Sequence, residues 1–224
     1  MNVVFDLDGT LIDSAPDIQF VASAILDRLG KAGLSLAETR SFIGEGSAVF
    51  VSRMMAARDI ADTGQSHAAL YDEFISRYEH AVDRGAFYPG ALAALMGLKA
   101  DGHCLGLCTN KPERPARAVI RYMGLEGVFD AVIAGGMIDS RKPEPDMLLE
   151  TIRGLGGGPT LYVGDSEIDA ETAQRAKVPF ALYSGGYRKV AVSEMRHDWV
   201  FDHFDMFPAI VAELEARLLD VGDE

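Results

Sequence analysis

The chain has 224 residues and a formal net charge of −13, with 48% hydrophobic and 25% charged residues. This is an ordinary globular composition, long enough for one large domain or for a core with a smaller one, and its acidity argues against nucleic acid or an anionic membrane surface as a partner. No apolar run could span a bilayer, no leader-like segment precedes the first strand pattern, and Cys104 and Cys108 fit reduced thiols, so we expect a cytoplasmic protein with no membrane partner.

Short apolar runs, typical of strands, alternate with amphipathic helical patterns along most of the chain. The predicted strands are 3–5, 105–108, 131–134, 161–163 and 180–182. The helical patterns between them are 112–123, 144–153 and 167–176. Each run is apolar along its length, which suits strands buried on both faces of a parallel sheet. The order predicts an α/β fold with a doubly wound, mainly parallel, Rossmann-like sheet.

The alternation is interrupted by a segment whose patterns are all helical. Apolar residues recur there on one helix face, for example Ile18, Val21 and Ile25, and no strand-like run follows until residue 84. The sequence therefore predicts an all-helical insert, residues 14–83, within a core made of residues 1–13 and 84–224. A helix over 208–219 should cover the sheet, with a frayed tail at 220–224.

The first predicted strand runs into Asp6-Leu7-Asp8-Gly9-Thr10. Residues two apart in a strand point the same way, so Asp6 and Asp8 would share a face at the carboxyl end, where open α/β sheets bind ligands. Two carboxylates this close repel each other unless Mg²⁺ lies between them or one stays protonated. Gly9 would let the backbone approach a phosphate. The alternative is a turn with solvated carboxylates.

A second acidic cluster follows the fourth predicted strand, in Gly164-Asp165-Ser166-Glu167-Ile168-Asp169. Asp165 and Asp169 have helical spacing, so their carboxylates could face one ion. The alternative is a helix N-terminus that carries acids because the helix dipole favours them.

Three further polar groups follow other strands of the predicted sheet. Thr109 and Asn110 offer a hydroxyl and an amide to a phosphoryl oxygen, although a helix cap is the alternative for Asn110. Lys142 precedes Pro143, which fixes the local backbone, and a lysine held beside a carboxylate nucleophile would neutralise charge and hold phosphate. Since all these groups lie at or just beyond strand ends of one sheet, together they predict a phosphoryl-transfer site.

The order of these motifs resembles that of the haloacid dehalogenase superfamily, specifically its phosphatases with a helical cap after the first strand. The likeness covers most of the chain and implies that residues 14–83 form a cap domain over a phosphatase core. Further stretches are similar to those of bacterial phosphoglycolate phosphatases: Phe42-Ile43-Gly44-Glu45-Gly46, Tyr88-Pro89-Gly90, Thr109-Asn110-Lys111-Pro112 and Lys142-Pro143-Glu144-Pro145-Asp146.

The resemblance implies a Mg²⁺-dependent phosphatase with an aspartyl-phosphate intermediate. Asp6 would attack phosphorus, and Asp8 would protonate the leaving group and then activate water. Thr109 and Lys142 would bind the transferring phosphoryl oxygens. The implied metal ligands are Asp6, the backbone carbonyl of Asp8, and Asp165, with Asp169 supporting the metal directly or through water.

In the cap, the same resemblance places Gly44, Glu45 and Gly46 in a loop that faces the substrate. The glycines would permit close backbone approach. Glu45 would touch the leaving group, pair with a cap arginine such as Arg53, or stay solvated. An acid there is an unexpected neighbour for an anionic substrate.

The predicted reaction is hydrolysis of 2-phosphoglycolate, a small phosphorylated metabolite, by a monomer or homodimer. Asp8 favours phosphate-ester chemistry, because dehalogenases and phosphonatases of the superfamily lack an aspartate at that position. The alternatives are another small ester, such as a sugar phosphate or nucleotide, and a β-phosphoglucomutase-like mutase. A binding protein that has lost turnover is disfavoured because the whole catalytic set is present.

Overall fold

The computed structural model of the protein describes residues 1–221, with side chains through residue 219. The described residues form eight strands: β1 (Asn2–Phe5), β2 (Ile12–Asp13), β3 (Ala86–Phe87), β4 (Cys104–Pro112), β5 (Ala131–Gly135), β6 (Thr160–Gly164), β7 (Phe180–Tyr183) and β8 (Trp199–Phe201). Six of them make one sheet in the order β5-β4-β1-β6-β7-β8, and every neighbouring pair in it is parallel. The predicted doubly wound sheet is therefore confirmed.

Helices cover both faces of this sheet. The described helices are α1 (Ala15–Arg28), α2 (Leu36–Phe42), α3 (Ser47–Ala56), α4 (Gln65–Tyr78), α5 (Ala91–Ala100), α6 (Glu113–Tyr122), α7 (Asp146–Gly154), α8 (Glu167–Ala176) and α9 (Phe207–Val221). Val3 and Phe5 of β1 enter the core cluster shared with α5, α6 and α9, whereas Val4 enters the cluster shared with α7 and α8. This alternation follows from the two-residue period of a strand, which decides on which face of the sheet each side chain lies.

Helices α1 to α4 pack on one another around an apolar cluster of their own. Val21, Phe50 and Phe74 are buried in it, and Tyr187 from the far end of the chain joins it. The two chain segments that connect the sheet to these helices lie side by side, because β2 and β3 pair antiparallel, with Ile12 opposite Phe87. The two-stranded ribbon lies at the points where we predicted the boundaries of the insert, and those boundaries stay a prediction.

Three details differ from the sequence expectations. The second strand of the sheet extends to Pro112, with an irregularity between Thr109 and Pro112. Helix α2 was not predicted, although its capping box between Ser35 and Glu38 is a recognisable start signal. The last helix begins at Phe207 and runs to Val221, and the rest of the tail that we expected to fray, 222–224, lies outside the described residues.

None of the described helices combines the length and hydrophobicity that crossing a bilayer requires.

Candidate active site

The sheet order brings three predicted residues side by side. Strand β1 lies between β4 and β6, and all three run in the same direction. Asp6 directly follows β1, Asp165 directly follows β6, and Thr109 lies in the second half of β4. Because parallel strands end at one edge, their side chains meet there, at the position where open α/β sheets bind ligands.

Three of the predicted acids form a buried group at this edge. Carboxylate oxygens of Asp6, Asp165 and Asp169 lie within 4.8 Å of one another, and all three residues are buried. Lys142, which is 2% exposed, enters the group from the loop after β5. Its Nζ lies 2.9 Å from Asp6 Oδ1 and 2.7 Å from Asp169 Oδ1.

Asp169 is the most completely satisfied of these acids. Its carboxylate accepts from Lys142 Nζ at 2.7 Å, from the Tyr162 hydroxyl at 2.7 Å and from Ser166 Oγ at 2.6 Å. Burial raises the pKa of Asp169, but Lys142 and the hydrogen bonds outweigh burial and hold that pKa below its usual value. Asp169 is therefore an anion that orients Lys142, with little capacity left for a further ligand.

Asp6 and Asp165 have the opposite character. Burial raises the pKa of Asp6 to about 6, although Lys142 opposes the shift. Burial, followed by the charges of Asp169 and Asp6, raises the pKa of Asp165 well above its usual value. Both carboxylates are thus poorly neutralised by the protein itself, and each would be stabilised as an anion by a cation between them.

The group fits a divalent metal on two observations. Asp6 Oδ1 is buried and, although Lys142 approaches it, has no partner in hydrogen-bonding geometry. The charged groups of the site are the carboxylates of Asp6, Asp8, Asp165 and Asp169 and the ammonium groups of Lys111 and Lys142. Four acids against two lysines leave two formal negative charges, and buried oxygen ligands of this kind suit Mg²⁺.

Two backbone segments hold Asp165 in place. Thr10 Oγ1 donates to Asp165 Oδ1 at 2.8 Å, and the Tyr187 backbone N–H donates to Asp165 Oδ2 at 2.6 Å. Gly9, with φ +90°, and Gly186 pass so close to this carboxylate that a Cβ at either position would overlap it. Both glycines are therefore required by close packing. We had predicted that Gly9 lets the backbone approach a phosphate, and in the structure the group it approaches is the Asp165 carboxylate.

Asp8 lies apart from the buried acid group. Its Oδ1 accepts from Ser14 Oγ at 2.6 Å and from Lys111 Nζ at 2.9 Å. The Asp8 side chain is 13% exposed, whereas that of Lys111 is 1% exposed. Both acids lie beyond the end of β1, and both line the cavity between the sheet and the helical insert.

Asn110 has partners that the sequence did not predict. Its side-chain amide donates to the carbonyls of Gly44 and Lys142, at 3.1 and 3.0 Å, and its oxygen accepts from the Lys142 N–H at 3.0 Å. Both donors are therefore used in joining the insert loop to the Lys142 loop. In this arrangement Asn110 positions Lys142, whereas Thr109 is buried beside it and lines the cavity.

The insert loop reaches the site through its glycines. Gly44 and Gly46 line the cavity, whereas the Glu45 side chain forms an ion pair with Arg53. Glu45, an unexpected neighbour for an anionic substrate, is thus neutralised by Arg53, which we had named as one of its possible partners.

Sequence reasoning missed five groups at this edge: Thr10, Ser14, Lys111, the Tyr162 hydroxyl and the Tyr187 backbone N–H. Lys111 stands in a stretch that we had noted only for its similarity. The strand-like alternation through Thr109 and Lys111 would have placed both side chains on the face that carries the site. Tyr187 contributes only its backbone here, and no side-chain pattern predicts such a contact.

A parallel sheet with this acidic, metal-compatible edge defines an α/β enzyme that handles phosphoryl groups. The family model described as haloacid dehalogenase-like hydrolase matches residues 1–177. The chain is 43% identical over 216 residues to a phosphoglycolate phosphatase of Cereibacter sphaeroides (strain ATCC 17029 / ATH 2.4.9), covering 96% of this chain and 99% of that one. The chain therefore belongs to the haloacid dehalogenase-like hydrolases, as a phosphatase, and the resemblance seen in its motifs is confirmed.

Two further relatives agree with this assignment. A phosphoglycolate phosphatase of Rhodobacter capsulatus is 42% identical over 209 residues, which cover 93% of this chain and 95% of that one. The crystal structure of a predicted phosphoglycolate phosphatase from Haemophilus somnus 129pt has a TM-score of 0.87 and 26% identity, and covers 93% of this chain and 96% of that one. The likeness thus extends over the sheet and the helical insert alike.

Proposed function

We propose that the chain is a Mg²⁺-dependent phosphomonoesterase that hydrolyses 2-phosphoglycolate to glycolate and phosphate through an aspartyl-phosphate on Asp6. The observation that carries the proposal is the convergence of Asp6, Asp8 and Lys142 at one edge of the sheet. The substrate is supported by relatives that share 42–43% identity over nearly the whole chain. We further propose action in the cytoplasm, as a monomer or homodimer.

In the first step, Asp6 attacks phosphorus in line with the ester oxygen. The bond from Asp6 to phosphorus forms as the bond from phosphorus to the ester oxygen breaks, and Asp8 gives its proton to the departing alkoxide. An acid is needed there because an alkoxide is a poor leaving group. Ser14 and Lys111 would hold the Asp8 carboxylate toward the cavity for this transfer.

In the second step, water attacks the phosphorus of the aspartyl-phosphate. Asp8, now a carboxylate, takes a proton from that water, and the bond between Asp6 and phosphorus breaks to release phosphate. Both protonation states of Asp8 are thus used in turn, and the enzyme returns to its starting state.

Lys142 and Thr109 would bind the phosphoryl oxygens, where charge spreads in the transition state. Lys142 is suited to this role because Asp169, Tyr162 and Asn110 fix it from three sides. A buried ammonium whose position is already fixed needs little reorganisation when charge develops beside it.

Asp6, the backbone carbonyl of Asp8, and Asp165 would hold the Mg²⁺ ion, and Asp169, whose oxygens already accept several hydrogen bonds, would support it through water and not directly. When bound, Mg²⁺ supplies the positive charge that offsets the repulsion between the Asp6 carboxylate and the phosphate dianion. Thr10 and Tyr187 would keep Asp165 aimed at that ion.

Residues 14–83 would act as a cap that covers the site and excludes bulk water during phosphoryl transfer. Gly44 and Gly46 would bring insert backbone close to the substrate, with Glu45 kept outside by Arg53. Gly9 would allow the loop after β1 to pass close beside the Asp165 carboxylate.

A phosphate-release assay tests this proposal. Purified protein with Mg²⁺ should release phosphate from 2-phosphoglycolate with a higher kcat/KM than from sugar phosphates or nucleotides, and removing the metal by chelation should abolish release. Faster turnover of a sugar phosphate would overturn the substrate and retain the phosphatase chemistry. Equal activity in metal-free protein would overturn the role of Mg²⁺.

A further inference from the structure

The cavity that meets Asp6 and Asp8 is small and largely apolar. It measures about 40 Å³, room for about three waters on a scale where one needs about 10–15 Å³. Its apolar lining is formed by Ile18, Ile43, Phe50, Phe74 and the ring of Tyr78, and Ser47, Thr109 and Asn110 add polar groups. A leaving group of a few heavy atoms fits this space, whereas a mostly apolar lining offers few partners for the several hydroxyl groups of a sugar.

A buried cation stands in this apolar wall. Among the described residues that line the cavity, Lys111 carries the positive charge, and its ammonium lies 4.0 Å from the centre of the Tyr78 ring. Its hydrogen bonds go to both oxygens of the Asp8 carboxylate, at 2.9 and 3.3 Å, and to the Tyr78 hydroxyl. An ammonium has three donors, so a ligand carboxylate would take the donor that makes the longer contact with Asp8.

On the basis of the function proposed above, we infer that Lys111 is the specificity-determining residue that binds the carboxylate of the leaving group. Asp8 is placed to protonate the ester oxygen, and the carboxylate of 2-phosphoglycolate is attached to the carbon next to that oxygen. The cation in contact with Asp8 therefore stands where this carboxylate would lie. The low-polarity wall strengthens the attraction between the two charges.

The other cations near the site form ion pairs with acids other than Asp8 or line a neighbouring cavity. Lys142 is paired with Asp6 and Asp169, and Arg53 is paired with Glu45. Lys189 lines a neighbouring cavity of about 10 Å³ that also meets Asp6, Asp8 and Asp165. It is therefore the competing candidate for this role, and it is tested beside Lys111.

The test compares 2-phosphoglycolate with 2-hydroxyethyl phosphate, an uncharged-tail ester with the same carbon skeleton. The wild-type protein should prefer the carboxylate ester. Lys111→Met should lower that preference, measured as the ratio of the two kcat/KM values, by about 10- to 100-fold, the scale of a hydrogen bond to a charged group. Lys111→Arg should restore part of it, and Lys189→Met should leave the ratio within about threefold.

Several results would overturn the inference. One is an equal loss on both esters in Lys111→Met, which would mean that Lys111 acts through Asp8 alone. Another is collapse of the preference in Lys189→Met, and a third is a wild-type protein that does not distinguish the two esters. Lys111→Gln, which keeps polar contacts and removes the charge, replaces the methionine variant if that variant does not fold. A wild-type protein that hydrolyses neither ester would instead contradict the proposed function.

Discussion

Replacing Asp6 with asparagine should lower kcat by about 10⁴- to 10⁶-fold, the cost expected when a covalent nucleophile is removed. The amide keeps the size of the side chain and its place after β1, but it cannot form the aspartyl-phosphate. Stopped assays of phosphate release from 2-phosphoglycolate, with Mg²⁺ in excess, would measure the loss.

The folded state should survive this change. The pKa of Asp6 is raised to about 6, so the folded protein favours the neutral carboxyl group of Asp6. The contribution of that neutral group to the free energy of unfolding is lost as pH rises from about 4 through 6. A neutral amide removes this loss, so the Tm of metal-free Asp6→Asn protein at neutral pH should equal or exceed that of the wild type.

Asp101→Asn is the matched control for Asp6→Asn. Asp101 is exposed at the end of α5, before β4 begins, and so lies at the opposite edge of the sheet from the site. Its kcat should equal that of the wild type. A residual activity in Asp6→Asn above about one per cent of the wild type would contradict the nucleophilic role.

Replacing Lys142 with methionine should have the largest effect on stability. The ammonium is buried against Asp6 and Asp169, and these two anions raise its pKa although burial itself lowers it. Removing one partner of a buried charge pair costs about 3–5 kcal/mol, because the remaining charges are left uncompensated. For a chain of this size the Tm should fall by roughly 6–20 °C, and activity should be lost with it.

Two companion variants make this prediction specific. Lys142→Met/Asp169→Asn should recover part of the lost Tm, because it removes one of the uncompensated anions. Lys99→Met removes a half-exposed ion pair with Asp130 and should change the free energy of unfolding by no more than about 1 kcal/mol. If Lys142→Met costs no more than Lys99→Met, the buried acid group is neutralised in some other way.

The sheet and the placement of the main site residues were predictable because they follow from local rules. Apolar runs predicted the buried parallel strands, and parallel strands place the residues that follow them at one edge. Asp6 and Asp165 meet for this reason, since β1 and β6 are neighbours. The motif order then identified the family, which the comparisons confirm.

The contacts that complete the site were not predictable from local patterns. Lys142 pairs with Asp169 across 27 residues, and Tyr187 reaches Asp165 across 22, so both contacts depend on how loops cross the sheet edge. Asn110 was expected at the substrate, but its amide joins the Gly44 loop to the Lys142 loop. These hydrogen bonds form only when β4 and both loops have reached their folded positions. Such contacts follow from the fold and not from the residues' neighbours in sequence.

Trapping the phosphorylated enzyme would show whether Asp6 carries the phosphoryl group. Asp8→Asn protein should form the aspartyl-phosphate from acetyl phosphate, whose small leaving group, acetate, needs no acid, and should hydrolyse the intermediate slowly because no base activates water. Mass spectrometry after acid quench should find one added phosphoryl group, located on Asp6 by peptide mapping. Catalytic consumption of acetyl phosphate above its spontaneous hydrolysis without any phosphorylated Asp6, or a phosphoryl group on another residue, would show that Asp6 is not the nucleophile.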